Sequence, residues 1–105
     1  MPRKPETVLS EKVLSRLRAE GGRWIKVHGG PFQEAGVSDI LGCWGGRFIA
    51  IELKIPGEEP TKLQREYLDD VHYSGGIAGV ATTVQEALDV RDGVKAFVPF
   101  KRNRG

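Results

Sequence analysis

No apolar run in this chain exceeds four residues, the longest being Phe48-Ile49-Ala50-Ile51, whereas a helix needs ~20 to cross a bilayer. Nothing near Met1 has the apolar stretch of a signal peptide, so an intracellular, cytoplasmic protein with no membrane partner is expected. Cys43 is the only cysteine, which excludes an internal disulfide and a Cys-rich zinc site and agrees with a reducing compartment; it reads as a small strand residue. Repeats, low-complexity segments and coiled-coil heptads are missing as well. So is a clear excess of charge of one sign, since 16 Lys+Arg oppose 14 Asp+Glu for a net +2.

The near-neutral total conceals an arrangement. All 14 carboxylates and 11 of the 16 cations lie between positions 5 and 100, a body of −3, while Arg3, Lys4, Lys101, Arg102 and Arg104 place +5 at the two ends. Basic ends suit a phosphate backbone through counterion release, although short runs of this kind are commonly solvated tails. A length of 105 residues with 39% hydrophobic content fits one domain and makes two very unlikely on size alone. We expect residues 1–105 to form a single domain with its core over about 8–92 and the basic ends, 1–7 and 101–105, outside it.

Apolar spacing predicts a helix from Ser10 to about Glu20, with Ser10 as N-cap, Leu9, Val13, Leu14 and Leu17 on one face, and Gly21-Gly22 as the stop. A β-like run, Trp24 to His28, precedes a Gly-rich loop, Gly29 to Gly36. The runs Val37 to Trp44 and Arg47 to Ile55 flank Gly45-Gly46, which reads as a two-residue hairpin turn. The second run is apolar on both faces until Glu52 and should be a central strand. Thr61-Lys62-Leu63-Gln64 has the form of a capping box for a helix burying Leu63, Tyr67, Leu68 and Val71. Ile77 to Ala81 reads as a strand, Thr83 to Glu86 opens a third helix, and Ala96 to Phe100 can form an edge strand, where Pro99 would be tolerated. The order is α-β-β-β-α-β-α, giving an α/β fold with a mixed central sheet flanked by helices.

A Gly45-Gly46 turn makes cross-strand position numbers sum to 91, which sets Asp39 opposite Glu52 with Cβ atoms ~5 Å apart on one face. Lys54 falls on the same face by alternation. Two ionised carboxylates at that distance repel by about 3 kcal/mol at an effective dielectric of ~20, so a positive partner must compensate them. Lys54 serves in part, and a hard divalent cation such as Mg²⁺ or Mn²⁺ suits two carboxylates and a carbonyl better. A Glu-x-Lys pair alone is most often a surface ion pair. Here it continues a central strand and meets a second acid, which points to metal-assisted phosphodiester hydrolysis, with Lys54 orienting water or steadying the transition state.

Gly36-Val37-Ser38-Asp39-Ile40-Leu41-Gly42, Phe48-Ile49-Ala50-Ile51-Glu52-Leu53-Lys54, Pro60-Thr61-Lys62-Leu63-Gln64 and Gly75-Gly76 together resemble the VRR-NUC branch of the PD-(D/E)XK nuclease superfamily, from about Glu11 to Leu88. Ser38 departs from the superfamily's proline before the aspartate. The resemblance implies a restriction-endonuclease-like core in which Asp39 and Glu52 bind Mg²⁺ or Mn²⁺, the Leu53 carbonyl adds a ligand and Lys54 is catalytic. It sets Gln64 beside the site, where that role competes with the capping box, and Glu11 as an outer metal partner, against its reading as an exposed first-turn Glu. Small stand-alone relatives resemble phage proteins, and the likeness implies a homodimeric endonuclease on branched DNA such as four-way (Holliday) junctions, as in DNA repair. The alternatives are a non-catalytic nucleic-acid-binding or assembly module of the same fold, and a restriction-type or RNA-directed nuclease. Lys26, His28, Gln33, Lys62 and Arg102 are the candidate DNA contacts; Phe32 has only its loop position in favour, and Trp24, Trp44 and His72 read as structural.

Overall fold

The first helix begins at a proline. In a computed structural model that describes residues 3–101, α1 runs Pro5–Glu20, five residues earlier than the expected start at Ser10. Pro5 has the backbone angle that a first helical residue needs and lacks only an N–H that would go unused there, and Glu6 gains from the helix dipole. Ser10 is therefore inside the helix and buried, its hydroxyl donating to the Thr7 carbonyl at 3.0 Å. It caps nothing.

Four strands follow in part from the hairpin. β1 (Arg23–Lys26), β2 (Ile40–Trp44), β3 (Arg47–Leu53) and β4 (Ile77–Ala81) form one sheet in that spatial order. β1–β2 and β2–β3 are antiparallel and β3–β4 parallel. Gly45 and Gly46, at φ 59° and 79°, make the turn, and the β2–β3 ladder runs from Trp44↔Arg47 to Ile40↔Ile51, the expected register. From Ile49 to Leu53 every β3 residue is buried, because α2 covers one face and α1 with α3 the other.

β1, β2 and β3 are shorter than expected. β1 ends at Lys26 instead of His28, β2 starts at Ile40 instead of Val37, and β3 ends at Leu53 instead of Ile55; the trimmed ends all lie at one end of the sheet, where the Asp39 carboxylate takes the place of one ladder acceptor.

The α2 helix (Lys62–Tyr73) has the capping box expected of it, Thr61 accepting from the Gln64 amide and Gln64 from the Thr61 amide. Leu68 and Val71 are buried, but Leu63 is half exposed because the first turn projects past the sheet. It meets the Gly-rich loop instead: at Gly36, φ 88°, a Cβ would stand 2.6 Å from the Leu63 carbonyl oxygen. α3 (Val84–Asp92) is capped by Thr83.

No strand forms over 96–100. That segment crosses α2, where the Asp69 carboxylate takes the amides of Phe100 and Lys101 at 2.8 and 2.9 Å. Amides spent on a side chain cannot build a ladder, and Pro99 has none to give. Among the described residues no helix is long and apolar enough to cross a membrane.

Candidate active site

Past the C-terminal end of β3, the first turns of α1 and α2 enclose a cavity of about 400 Å³. Strand β3 supplies Glu52, Leu53 and, one step beyond the strand, Lys54; β1 supplies Lys26, with His28 just after it; Asp39 enters immediately before β2. Gln64 comes from α2 and Glu58 from the intervening turn, while Glu6, Thr7 and Ser10 form the α1 wall.

Asp39 does not reach the site as the cross-strand partner of Glu52, because the ladder stops at Ile40↔Ile51. Its backbone carbonyl accepts from Val27 N at 2.8 Å, and its Oδ2 accepts from Leu53 N at 2.8 Å. The side chain thus completes the ladder in place of the main chain. Its other oxygen, Oδ1, lies 3.9 Å from Lys26 Nζ. Strand alternation turns the Leu53 peptide toward β2, and since β2 pairing has already ended, its carbonyl faces the same space as Asp39.

Glu52 is 2% exposed. Its Oε2 lies 3.7 Å from Lys54 Nζ, beyond hydrogen-bond range, and its Oε1 is buried with no hydrogen-bond partner. Burial, followed by the charge and direct contact of the Asp39 carboxyl, pushes its pKa up to about 8, against the smaller opposing pull of Lys54. Burial and a neighbouring acid both oppose charge on Glu52, as closely placed carboxyl groups do. The only other buried side-chain oxygen among the described residues without a partner is Ser38 Oγ, one residue before Asp39. An unpaired buried oxygen costs about 1–3 kcal/mol, so Glu52 Oε1, inside the cavity, marks this place as unfinished in the protein alone.

A hard divalent cation fits what is missing. Among the described residues there is no group of three or more His, Cys, Asp or Glu that could hold a metal. Two carboxylates and one carbonyl match Mg²⁺ or Mn²⁺, which keep several water or substrate ligands and bind through one or two carboxylates. Glu52, Asp39 and the Leu53 carbonyl would hold such an ion, leaving Lys54 and Lys26 for other anions.

Seven of the residues singled out in the sequence share this cavity: Asp39, Glu52, Leu53, Lys54, Gln64, Lys26 and His28. Gln64 holds both of its competing positions at once, since the cap uses Oε1 and leaves Nε2 as a donor. Glu11 is a correction: it is exposed and paired with Arg3, outside the cavity. Glu6 and Ser10, four apart, share the inward face of α1 and Glu11 turns away from it. Gln33 lies in the exposed loop and not in the cavity, Lys62 lines a separate one on the other side of α2, and Arg102 falls outside the described residues. Sequence reasoning missed Glu6, Thr7, Ser10 and Glu58; a helix start placed at Pro5 would have found the first three.

No family model matches the chain, and no curated protein matches it. Among solved structures it is similar to Hjc of Archaeoglobus fulgidus, a Holliday junction resolvase from an archaeal hyperthermophile, with a TM-score of 0.57 and 26% identity over 73% of this chain and 67% of that one. The mixed four-stranded sheet and the α-β-β-β-α-β-α order of this protein are those of an Hjc-like nuclease fold.

Proposed function

We propose that residues 1–105 act as a single-domain, Mg²⁺- or Mn²⁺-dependent DNA endonuclease of the VRR-NUC type that hydrolyses phosphodiester bonds and selects branched DNA, four-way junctions above all. The observation that carries this reading is the buried Glu52 with its unpaired oxygen, set against the half-buried Asp39 and beside Lys54 in an open cavity. The fold likeness to a Holliday junction resolvase supports the choice of a branched substrate, and a two-fold homodimer would match the symmetry of a junction.

In this reading Asp39, Glu52 and the Leu53 carbonyl hold the metal. When bound, the metal lowers the pKa of a coordinated water and neutralises charge on the phosphate. Lys54, too far from Glu52 to hydrogen-bond to it, would donate to the attacking water or to the phosphoryl oxygen. Lys26 and His28, which line the same cavity, would meet the incoming phosphate. Gln64 Nε2 adds a neutral donor on the α2 side. Glu6 stands as an outer acid that can order water.

The test uses labelled four-way junction, flap, single-stranded and linear duplex DNA, with and without Mg²⁺ or Mn²⁺, for the native chain, Glu52→Gln and Lys54→Ala. Junction-selective, metal-dependent cutting that both substitutions abolish is expected. Cutting without metal, or full activity in Glu52→Gln, would sink the proposed site, and junction binding without cutting would favour the binding module. Light scattering that shows a monomer of 11.6 kDa on the junction would remove the homodimer.

A further inference from the structure

The segment after α3 is fastened to α2 at its last two described residues by contacts that the proposed cleavage site does not need. Asp69, 1% exposed, accepts from Phe100 N and Lys101 N with its two separate oxygens. Tyr73 Oη donates to the Lys101 carbonyl at 2.8 Å. The Phe100 ring lies 5.4 Å from the Arg65 guanidinium and 6.0 Å from the Phe97 ring, which packs on the Leu68 and Val71 cluster. A buried carboxylate is costly unless its oxygens are satisfied, and an apolar residue at position 69 would cover the helix at no such cost. Both oxygens are instead spent on main-chain amides, which position the chain itself.

What that positions is positive charge. Lys101 comes to rest beside Lys62 and Arg65 around a cavity of about 360 Å³ whose rim also holds Glu66. Arg65 is steadied by the Pro60 carbonyl and Glu59, while Lys62 and Lys101 are exposed. Gln64, on the other side of the same helical turn, lines the proposed cleavage cavity. A helix is about 10 Å across, or roughly three nucleotide steps at about 3.4 Å each.

We propose that this strap is a second contact with the substrate, gripping the phosphodiester backbone a few nucleotides from the cleavage point, and that Asp69 is its positioning residue. The proposal rests on the reading of the protein as a DNA nuclease and names where the strand runs. Cations already held in place lose less freedom on binding than those of a loose tail, which gives the Asp69 anchor a purpose.

Salt dependence of binding tests it. Affinity of the full-length chain for a four-way junction is measured in chelator across a range of NaCl concentrations, and log K is plotted against log salt. Each phosphate contact contributes about −0.9 to the slope. The combined Lys62→Ala, Lys101→Ala variant should lose about 1–2 of slope magnitude and bind more weakly than native. Asp69→Asn, which keeps one acceptor and turns the other into a donor facing an amide, should lose at least about one. A purely structural role for Asp69 would lower the melting temperature and leave the slope unchanged, and that outcome overturns its positioning role. An unchanged slope in the double variant overturns the strap contact whether or not Asp69→Asn folds. If the native chain cuts junctions and the slopes do not move, only this inference fails; if it neither binds nor cuts DNA, the nuclease reading fails with it.

Discussion

Glu52 and Asp69 are buried to the same depth, at 2% and 1% exposure, on opposite sides of α2's reach, and their surroundings treat them in opposite ways. Asp69 has an amide on each oxygen. Glu52 has a lysine too far away to hydrogen-bond, an acid as its neighbour and one oxygen with nothing at all. Folding alone accounts for the first arrangement and is opposed by the second. A buried carboxylate therefore marks a ligand site only when its oxygens remain unanswered, and depth by itself does not separate the two.

The comparison breaks most directly through activity. Glu52→Gln should lower single-turnover junction cleavage in Mg²⁺ by roughly 10³-fold or more, yet melt no lower than the native chain, because it removes a carboxyl from an unfavourable place. Asp69→Ala should do the reverse, costing about 2–4 kcal/mol through two lost charge-assisted hydrogen bonds, read by denaturant titration, while chemistry at saturating protein continues. A Glu52→Gln protein that unfolds, or an Asp69→Ala protein as stable as native, would erase the distinction.

pH sharpens it. With its pKa raised from 4.5 to about 8, Glu52 keeps a proton in the folded chain that the unfolded chain releases. Metal-free stability due to this group is accordingly full below pH 4.5 and falls as pH rises from there to about 8. Melting temperatures between pH 5 and 8 should show the decline in the native chain and its disappearance in Glu52→Gln. Mg²⁺ or Mn²⁺ favours the ionised pair, so it should raise the native melting temperature more at pH 8 than at pH 6 and leave Glu52→Gln unmoved. The smallest effect belongs to Glu11→Ala, which removes an exposed pair with Arg3 and should change stability by less than about 0.5 kcal/mol without touching cleavage. Glu6→Ala, inside the cavity, should slow cleavage about tenfold in the same assay.

Local rules carried most of the fold. The Gly45-Gly46 turn and the parity of a strand are sufficient to predict the β2–β3 register, and the Thr61–Gln64 box is a contact between near neighbours. The site was legible to the extent that it lies on that hairpin: Asp39, Glu52 and Lys54 follow from counting. Glu6 and Lys26 were not legible as partners of the pair, because their place depends on how α1 and β1 pack across the sheet. Of the two readings that Glu11 carried, the exposed side chain is the one the structure shows. The missing last strand has a non-local cause. The segment over 96–100 has an extended pattern, but its amides are claimed by Asp69, whose neighbours Leu68, Asp70 and Val71 give no sign that position 69 points inward.

The Val27 N to Asp39 carbonyl bond ties the two ends of the Gly-rich loop together below everything the loop carries. Asp39 is located by that bond and by Leu53 N, so its position is independent of the number of residues between. Lengthening a closed loop is cheap, about 0.6 kcal/mol for each doubling. Residues 29–35 are thus a graft site: a longer or different loop can be exchanged there, leaving Asp39 in place.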